Sequence, residues 1–138
     1  MCYAPTVVQE YRRRTTSVSL INYHLIWCPK YRRQVLDGPV NERLETLIRE
    51  TLAKLDCEAL ALEVMPDHVH LFVNCPPTLA PCQIMFHIKG RSARVLRQEF
   101  PHLRRLPTLW TRSCFVATAG NVSADTIRHY IEMQKRRA

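Results

Sequence analysis

A chain of 138 residues has room for one hydrophobic core and excludes a second catalytic domain. Its 46% hydrophobic and 23% charged residues, with only three glycines, exclude a disordered chain, and no apolar run approaches the roughly 18 residues that cross a bilayer. A net charge of +8 with a pI near 9.5 points to a polyanionic partner, nucleic acid above all, against the blander reading of a solvated basic surface. The N-terminal MCYAPTVVQEYRRR lacks the apolar stretch of a signal peptide, so residence in the cytoplasm is expected. Six cysteines (Cys2, Cys28, Cys57, Cys75, Cys82 and Cys114) form no C-x-x-C pair, which leaves reduced thiols as the expectation rather than a zinc knuckle or a redox motif.

Residues 1–16 read as a basic arm around Arg12, Arg13 and Arg14. Over 17–28 the pattern alternates so that Ile21, Tyr23, Leu25 and Trp27 share one face, the period of a strand. After the turn signal Asp37-Gly38-Pro39, apolar residues at Val40, Leu44, Leu47, Ile48, Leu52 and Leu55 predict an amphipathic helix. Two short apolar runs, Glu58 to Met65 and His68 to Asn74, are separated only by Pro66-Asp67 and predict a hairpin. Ile84, Ile88, Val95 and Leu96 give helical spacing from about Leu79 to Phe100, with Gly90 inside it. Leu109 to Thr118 then predicts a fourth strand, with Trp110, Cys114 and Val116 on one side. Ser123 can cap a final helix over 123–137, with Asp125 in its first turn and Lys135 and Arg136 in its last.

Apart from that final helix, the order is β-α-β-β-α-β, the signature of an α+β ferredoxin-like sandwich: an antiparallel sheet with helices on one face. The expected organisation is a single domain over 1–138 with the last helix as an appendage.

Two groups of residues carry possible chemistry. His68 and His70 flank Val69 in a predicted strand, so both imidazoles project from one face and can reach one metal ion, while Val69, Leu71 and Val73 turn into the core. Tyr130 and Gln134 stand four residues apart on the last helix, so a phenol and an amide oxygen project together. On spacing alone, Tyr130 packing beside Ile127 and Ile131 with Gln134 solvated explains that second pair better.

The pattern Met65-Pro66-Asp67-His68-Val69-His70, followed by Tyr130-Ile131-Glu132-Met133-Gln134, resembles the IS200/IS605 transposase family of single-tyrosine, His-hydrophobe-His nucleases. Further blocks carry the resemblance from about residue 19 to 135: His24-Leu25-Ile26-Trp27-Cys28-Pro29-Lys30-Tyr31-Arg32, Lys89-Gly90-Arg91-Ser92-Ala93-Arg94, and Leu109-Trp110 leading to Phe115-Val116-Ala117-Thr118-Ala119-Gly120-Asn121.

The resemblance implies a ferredoxin-like core, with His68, His70 and Gln134 as ligands of Mg2+ or Mn2+ and Tyr130 as the nucleophile. It implies cleavage and rejoining of single-stranded DNA at hairpin-bearing insertion-sequence ends through a 5′-phosphotyrosine link. It further implies a prokaryotic homodimer, with the tyrosine helix completing either its own subunit's site or that of the other. No nucleotide cofactor is expected, because no G-x-x-x-x-G-K-[ST] loop is present. For DNA contacts the clustered Arg12, Arg13, Arg14, Lys89, Arg91 and Arg94 come first, and Tyr11, Tyr31 and Trp110 are candidates for base stacking.

Asp67 is read as a turn residue rather than a ligand, and His24, His87, His102 and His129 as structural or surface residues. Cys114 stands where many relatives carry an aromatic residue. Rival readings are a domesticated hairpin-processing relative and a non-catalytic RRM-like module, the latter lacking its RNP1 strand pattern. A zinc deaminase would need H-x-E and P-C-x-x-C, and this chain has neither.

Overall fold

In the computed structural model, residues 9–119 are described. Two short strands, β1 (Arg12–Arg13) and β2 (Val18–Ser19), pair with each other as a separate ribbon. They lead into β3 (Ile21–Trp27), α1 (Gly38–Lys54), β4 (Glu58–Met65), β5 (His68–Cys75), α2 (Pro81–Glu99) and β6 (Phe115–Ala119). The four longer strands form one antiparallel sheet in the order β4-β5-β3-β6, which is the ferredoxin-like arrangement expected from the element order. The helix expected over 123–137, with Tyr130 and Gln134, lies outside the described residues.

The core forms because β3 and β5 alternate in register. Leu25 pairs with Leu71, Tyr23 with Val73 and Trp27 with Val69, so their side chains share the face covered by both helices. From α1, Val40, Leu44, Leu47, Ile48 and Leu52 fill that layer, and from α2, Ile84, Met85, Ile88 and Leu96. No described helix is long and apolar enough to cross a membrane. Cys28, Cys57, Cys75, Cys82 and Cys114 are free thiols.

Helix α1 ends on a Schellman arrangement. Asp56 adopts φ +57°, its N–H donates to Ala53 O, and the Cys57 N–H donates to Leu52 O at 2.8 Å. Asp occupies the place usually given to glycine, and its carboxylate meets Arg12 at 3.3 Å and Arg14 at 3.6 Å. At the other end of α1, the Leu36 N–H donates to Pro66 O, and the Asn41 amide donates to Val64 O at 3.0 Å. These bonds anchor the β4–β5 turn, the segment that carries the Asp67-His68 pair.

Two elements differ from the pattern-based expectation. The strand expected over 17–28 is interrupted at Leu20: Val18–Ser19 pairs with the arginine ribbon, and the main sheet begins at Ile21. The fourth strand begins at Phe115, not Leu109. Leu109 and Trp110 are instead buried in the core, where the Trp110 indole N–H donates to Ser92 Oγ at 2.9 Å. The chain then crosses 111–114 in irregular form, because the Lys89 ammonium takes the carbonyls of Thr111 and Ser113 at 2.9 and 3.0 Å, leaving them unavailable to a ladder.

Leu71→Ala, at a fully buried position of the central strand, is expected to cost about 2–5 kcal/mol. Loss of the surface Arg43–Glu99 pair in Arg43→Ala should cost far less, because both charges stay solvated and screened. Urea unfolding of the two variants checks the ranking; equal losses would contradict it.

Candidate active site

Strand alternation divides β5 between two environments. Val69, Leu71 and Val73 enter the core, so His68, His70, Phe72 and Asn74 project from the sheet's other face. In register beside them stand Asn22, His24 and Ile26 of β3, Ala61, Glu63 and Met65 of β4, and Phe115, Ala117 and Ala119 of β6. All of β5 is buried, with His68 only 5% and His70 only 2% exposed. The two rings lie 4.8 Å apart between centroids and 82° from parallel, edge to face.

Each imidazole has a defined neighbour. His68 Nδ1 lies 2.6 Å from Asp67 Oδ1, and the other carboxylate oxygen accepts from Arg32 Nε at 3.1 Å. Burial alone would raise the Asp67 carboxyl, but the hydrogen bond from His68 and the nearby Arg32 guanidinium hold it below the ordinary carboxylate range. Asp67 is therefore an acceptor, and His68 Nδ1 carries the proton. His70 Nδ1 lies 3.4 Å from His24 Nε2. The His24 ring stacks on Phe72 at 4.2 Å, 3° from parallel, and meets Phe115 edge-on at 6.0 Å. Burial, then the neighbouring His70, lowers the His24 pKa from 6.5 to about 4, so the ring is neutral at pH 7.

The far end of this face is lined with amides. Asn22 and Gln9 exchange side-chain hydrogen bonds at 2.6 and 3.1 Å, Asn74 donates to Asn22 at 2.9 Å, and Arg12 donates to Asn74 Oδ1 at 2.6 Å.

The residues present suit a divalent cation. His68 Nε2 is buried and makes no hydrogen bond among the described residues, and a neutral imidazole nitrogen of this kind is a donor that a divalent cation accepts. Among the described residues no cluster of three or more His, Cys, Asp or Glu could hold a metal. A complete ligand set thus needs a donor beyond this pair. Gln134, the third expected ligand, and Tyr130 lie outside the described residues.

The expected DNA contacts are placed unevenly. Arg12 and Arg14 meet Asp56, the Arg91 guanidinium meets Glu50 at 2.8 Å, and Lys89 is held by the two carbonyls of the 111–113 segment, where burial lowers its pKa. Arg13 and Arg94 are exposed. Arg94 borders a shallow hollow with Arg97 and Arg104, two arginines to which the sequence reading gave no role.

That reading took His24 as structural or surface and gave no site role to Glu63 or Arg32, the three neighbours of the histidine pair. His24 and Glu63 reach it only through strand register, and Arg32 through a loop with Tyr31 and Arg32 at φ +60° and +52°. The one available signal was alternation: His24 falls on the face opposite Tyr23, Leu25 and Trp27.

The sequence matches the family described as "Transposase IS200 like" over residues 17–134. It is 37% identical over 128 residues to the ISDra2 transposase TnpA of Deinococcus radiodurans, covering 91% of each chain. It is 30% identical over 119 residues to the IS200 transposase of Salmonella typhimurium, covering 82% of this chain and 78% of that one. Its structure is similar to that of a Deinococcus radiodurans transposase, with a TM-score of 0.74 and 37% identity over 89% of this chain and 97% of the other. A REP-associated tyrosine transposase bound to a REP hairpin has the same fold, with a TM-score of 0.56 at 19% identity over 88% and 67% of the two chains.

Because Lys89 ties down the segment before β6, Lys89→Met is expected to lower stability by about 1–3 kcal/mol. Exposed Arg94→Ala should stay within about 0.5 kcal/mol of wild type. Denaturant unfolding distinguishes them; a neutral Lys89 variant would contradict the assigned role.

Proposed function

The chain belongs to the IS200-like transposase family, and on that premise we propose that it cuts and rejoins single-stranded DNA through a covalent bond between Tyr130 and a 5′ phosphate. The observation that carries this reading is the histidine pair of β5: two buried imidazoles side by side, one with Nδ1 fixed by a carboxylate and Nε2 buried without a hydrogen bond among the described residues.

His68, His70 and Gln134 would hold a divalent metal, Mg2+ or Mn2+, through two neutral nitrogens and an amide oxygen. When bound, the ion supplies Lewis-acid polarisation of the scissile phosphate and charge stabilisation for the leaving oxygen. The Tyr130 oxygen attacks phosphorus in line, forming the new O–P bond as the bond to the 3′ oxygen breaks. The phenol, with an ordinary pKa of about 10, gives its proton to water, and the departing 3′ oxygen gains one to leave as a hydroxyl. A phosphate diester is present before and after, so a 3′ hydroxyl can reverse the step and join new ends without ATP.

In this reading 123–137 is the tyrosine helix of a single 1–138 unit acting in a homodimer, with each site completed either by its own helix or by the partner's. The substrate would be single-stranded DNA bearing hairpin ends. Phe115, about half exposed on the same sheet face as the histidines, offers a ring on which an unpaired base can stack, and Arg13 and Arg94 offer exposed charge for phosphates.

Incubation of wild type and Tyr130→Phe with a labelled single strand carrying the element's end hairpin, plus Mg2+ or Mn2+, is expected to give a covalent protein–DNA band only with wild type. Binding without a band under any metal would replace catalysis by a binding role. For the charge contact, Arg94→Ala should weaken binding similarly across sequences and reduce the salt-dependence slope by about 1, measured by fluorescence anisotropy at several salt concentrations. An unchanged slope would remove Arg94 from the DNA path.

A further inference from the structure

Resting on the reading that His68 and His70 hold a divalent metal, we propose that Asp67 and His24 are the positioning residues of that site. Each occupies the Nδ1 of one imidazole, which makes Nε2 the coordinating nitrogen of both rings. A ligand histidine has two ring nitrogens, and the partner of one decides which tautomer the other presents.

For His68 the partner is a carboxylate with both oxygens committed. Oδ1 accepts a hydrogen bond from the Nδ1–H at 2.6 Å, as short as charge assistance by the carboxylate favours, and Oδ2 accepts from Arg32 Nε at 3.1 Å. The neutral ring then carries its lone pair on Nε2, the buried nitrogen that makes no hydrogen bond among the described residues.

Arg32 reaches Asp67 from a loop in an unfavourable conformation, with Tyr31 and Arg32 consecutively left-handed at φ +60° and +52°. Main-chain bonds hold the loop there: Lys30 N–H to Leu109 O and Arg32 N–H to Pro29 O, both at 2.8 Å, beside a bridge between Pro29 and Trp110. The fold thus spends conformational energy where it brings a guanidinium onto the carboxylate behind His68.

For His70 the partner is a third imidazole. His24 Nε2 lies 3.4 Å from His70 Nδ1, with the two rings 16° from parallel and their centroids 5.6 Å apart. Nearly parallel rings at that separation meet edge to edge, so the contact lies close to the ring planes, where nitrogen lone pairs and N–H groups point. Stacking on Phe72 at 4.2 Å fixes the His24 ring in its own plane. A neutral His24 protonated on Nδ1 accepts a hydrogen bond from the His70 Nδ1–H through Nε2.

The test joins imidazole 15N spectra of the metal-free protein to Mn2+ titrations of wild type, Asp67→Ala, Asp67→Asn and His24→Phe, each followed by electron paramagnetic resonance. The expected wild-type spectra show His68 and His70 protonated on Nδ1. Asp67→Ala is expected to release the His68 tautomer and weaken Mn2+ binding about 10–100-fold, and Asp67→Asn, which keeps a side-chain oxygen acceptor, to recover part of that loss. His24→Phe keeps the stack on Phe72 and should release His70 alone, with a similar loss of affinity. Wild-type rings protonated on Nε2, or variants that bind Mn2+ within twofold of wild type, would overturn the positioning roles while leaving the metal site standing. Wild-type protein that takes up no Mn2+ would overturn the metal reading itself, and this inference with it.

Discussion

Because successive side chains of a β-strand point to opposite faces, the eight residues of β5 do two jobs at once. Val69, Leu71 and Val73 fasten the strand to the helix layer, and the same geometry forces His68 and His70 onto the other side. A register slip of one residue would exchange the two sets, placing imidazoles among the leucines of α1 and α2. The pairing of β5 with β3 on one side and β4 on the other prevents that slip. The hydrophobic core and the candidate site are therefore one structural commitment.

Burying imidazoles carries an energetic cost that the surroundings only partly offset. An unsatisfied buried polar group costs about 1–3 kcal/mol, comparable to the loss of a core methyl group or two. The hydrogen bond to Asp67 and the contact with His24 cover one nitrogen of each ring. His68 Nε2 remains buried without a described hydrogen bond, and a chain selected for stability alone would place an aliphatic residue there. Two left-handed residues, Tyr31 and Arg32, add further cost of order 1 kcal/mol or more each. Such costs concentrate at sites where geometry matters more than stability.

Much of the fold was legible because its signals are local. Alternation over Tyr23, Leu25 and Trp27, helical spacing from Val40 to Leu52, and the two-residue Pro66-Asp67 turn needed no tertiary information. The fourth strand was placed too early because Leu109 and Trp110 are as apolar as strand residues, and Lys89, 22 and 24 positions from the carbonyls it binds, draws them away from a ladder. His68 and His70 were legible for the same local reason, being two apart on one strand. His24 was not, since its contact with His70 spans 46 positions and arises from the β3–β5 register. Glu63, opposite His70 on β4, was hidden in the same way.

Charge behaved differently from shape. The excess of basic residues pointed to a nucleic-acid partner, in keeping with membership of the IS200-like transposase family, yet net charge says nothing about which side chains meet phosphate. Arg12, Lys89 and Arg91 are drawn into internal contacts, and Arg94 stays exposed beside Arg97 and Arg104. The central claim is that β5 presents one nitrogen from each of two imidazoles to a single divalent ion. Anomalous diffraction from crystals grown with Mn2+ tests it most directly. The account predicts one strong peak within bonding distance of Nε2 of both His68 and His70; a peak bonded through Nδ1, or none between the two rings at saturating Mn2+, would contradict it.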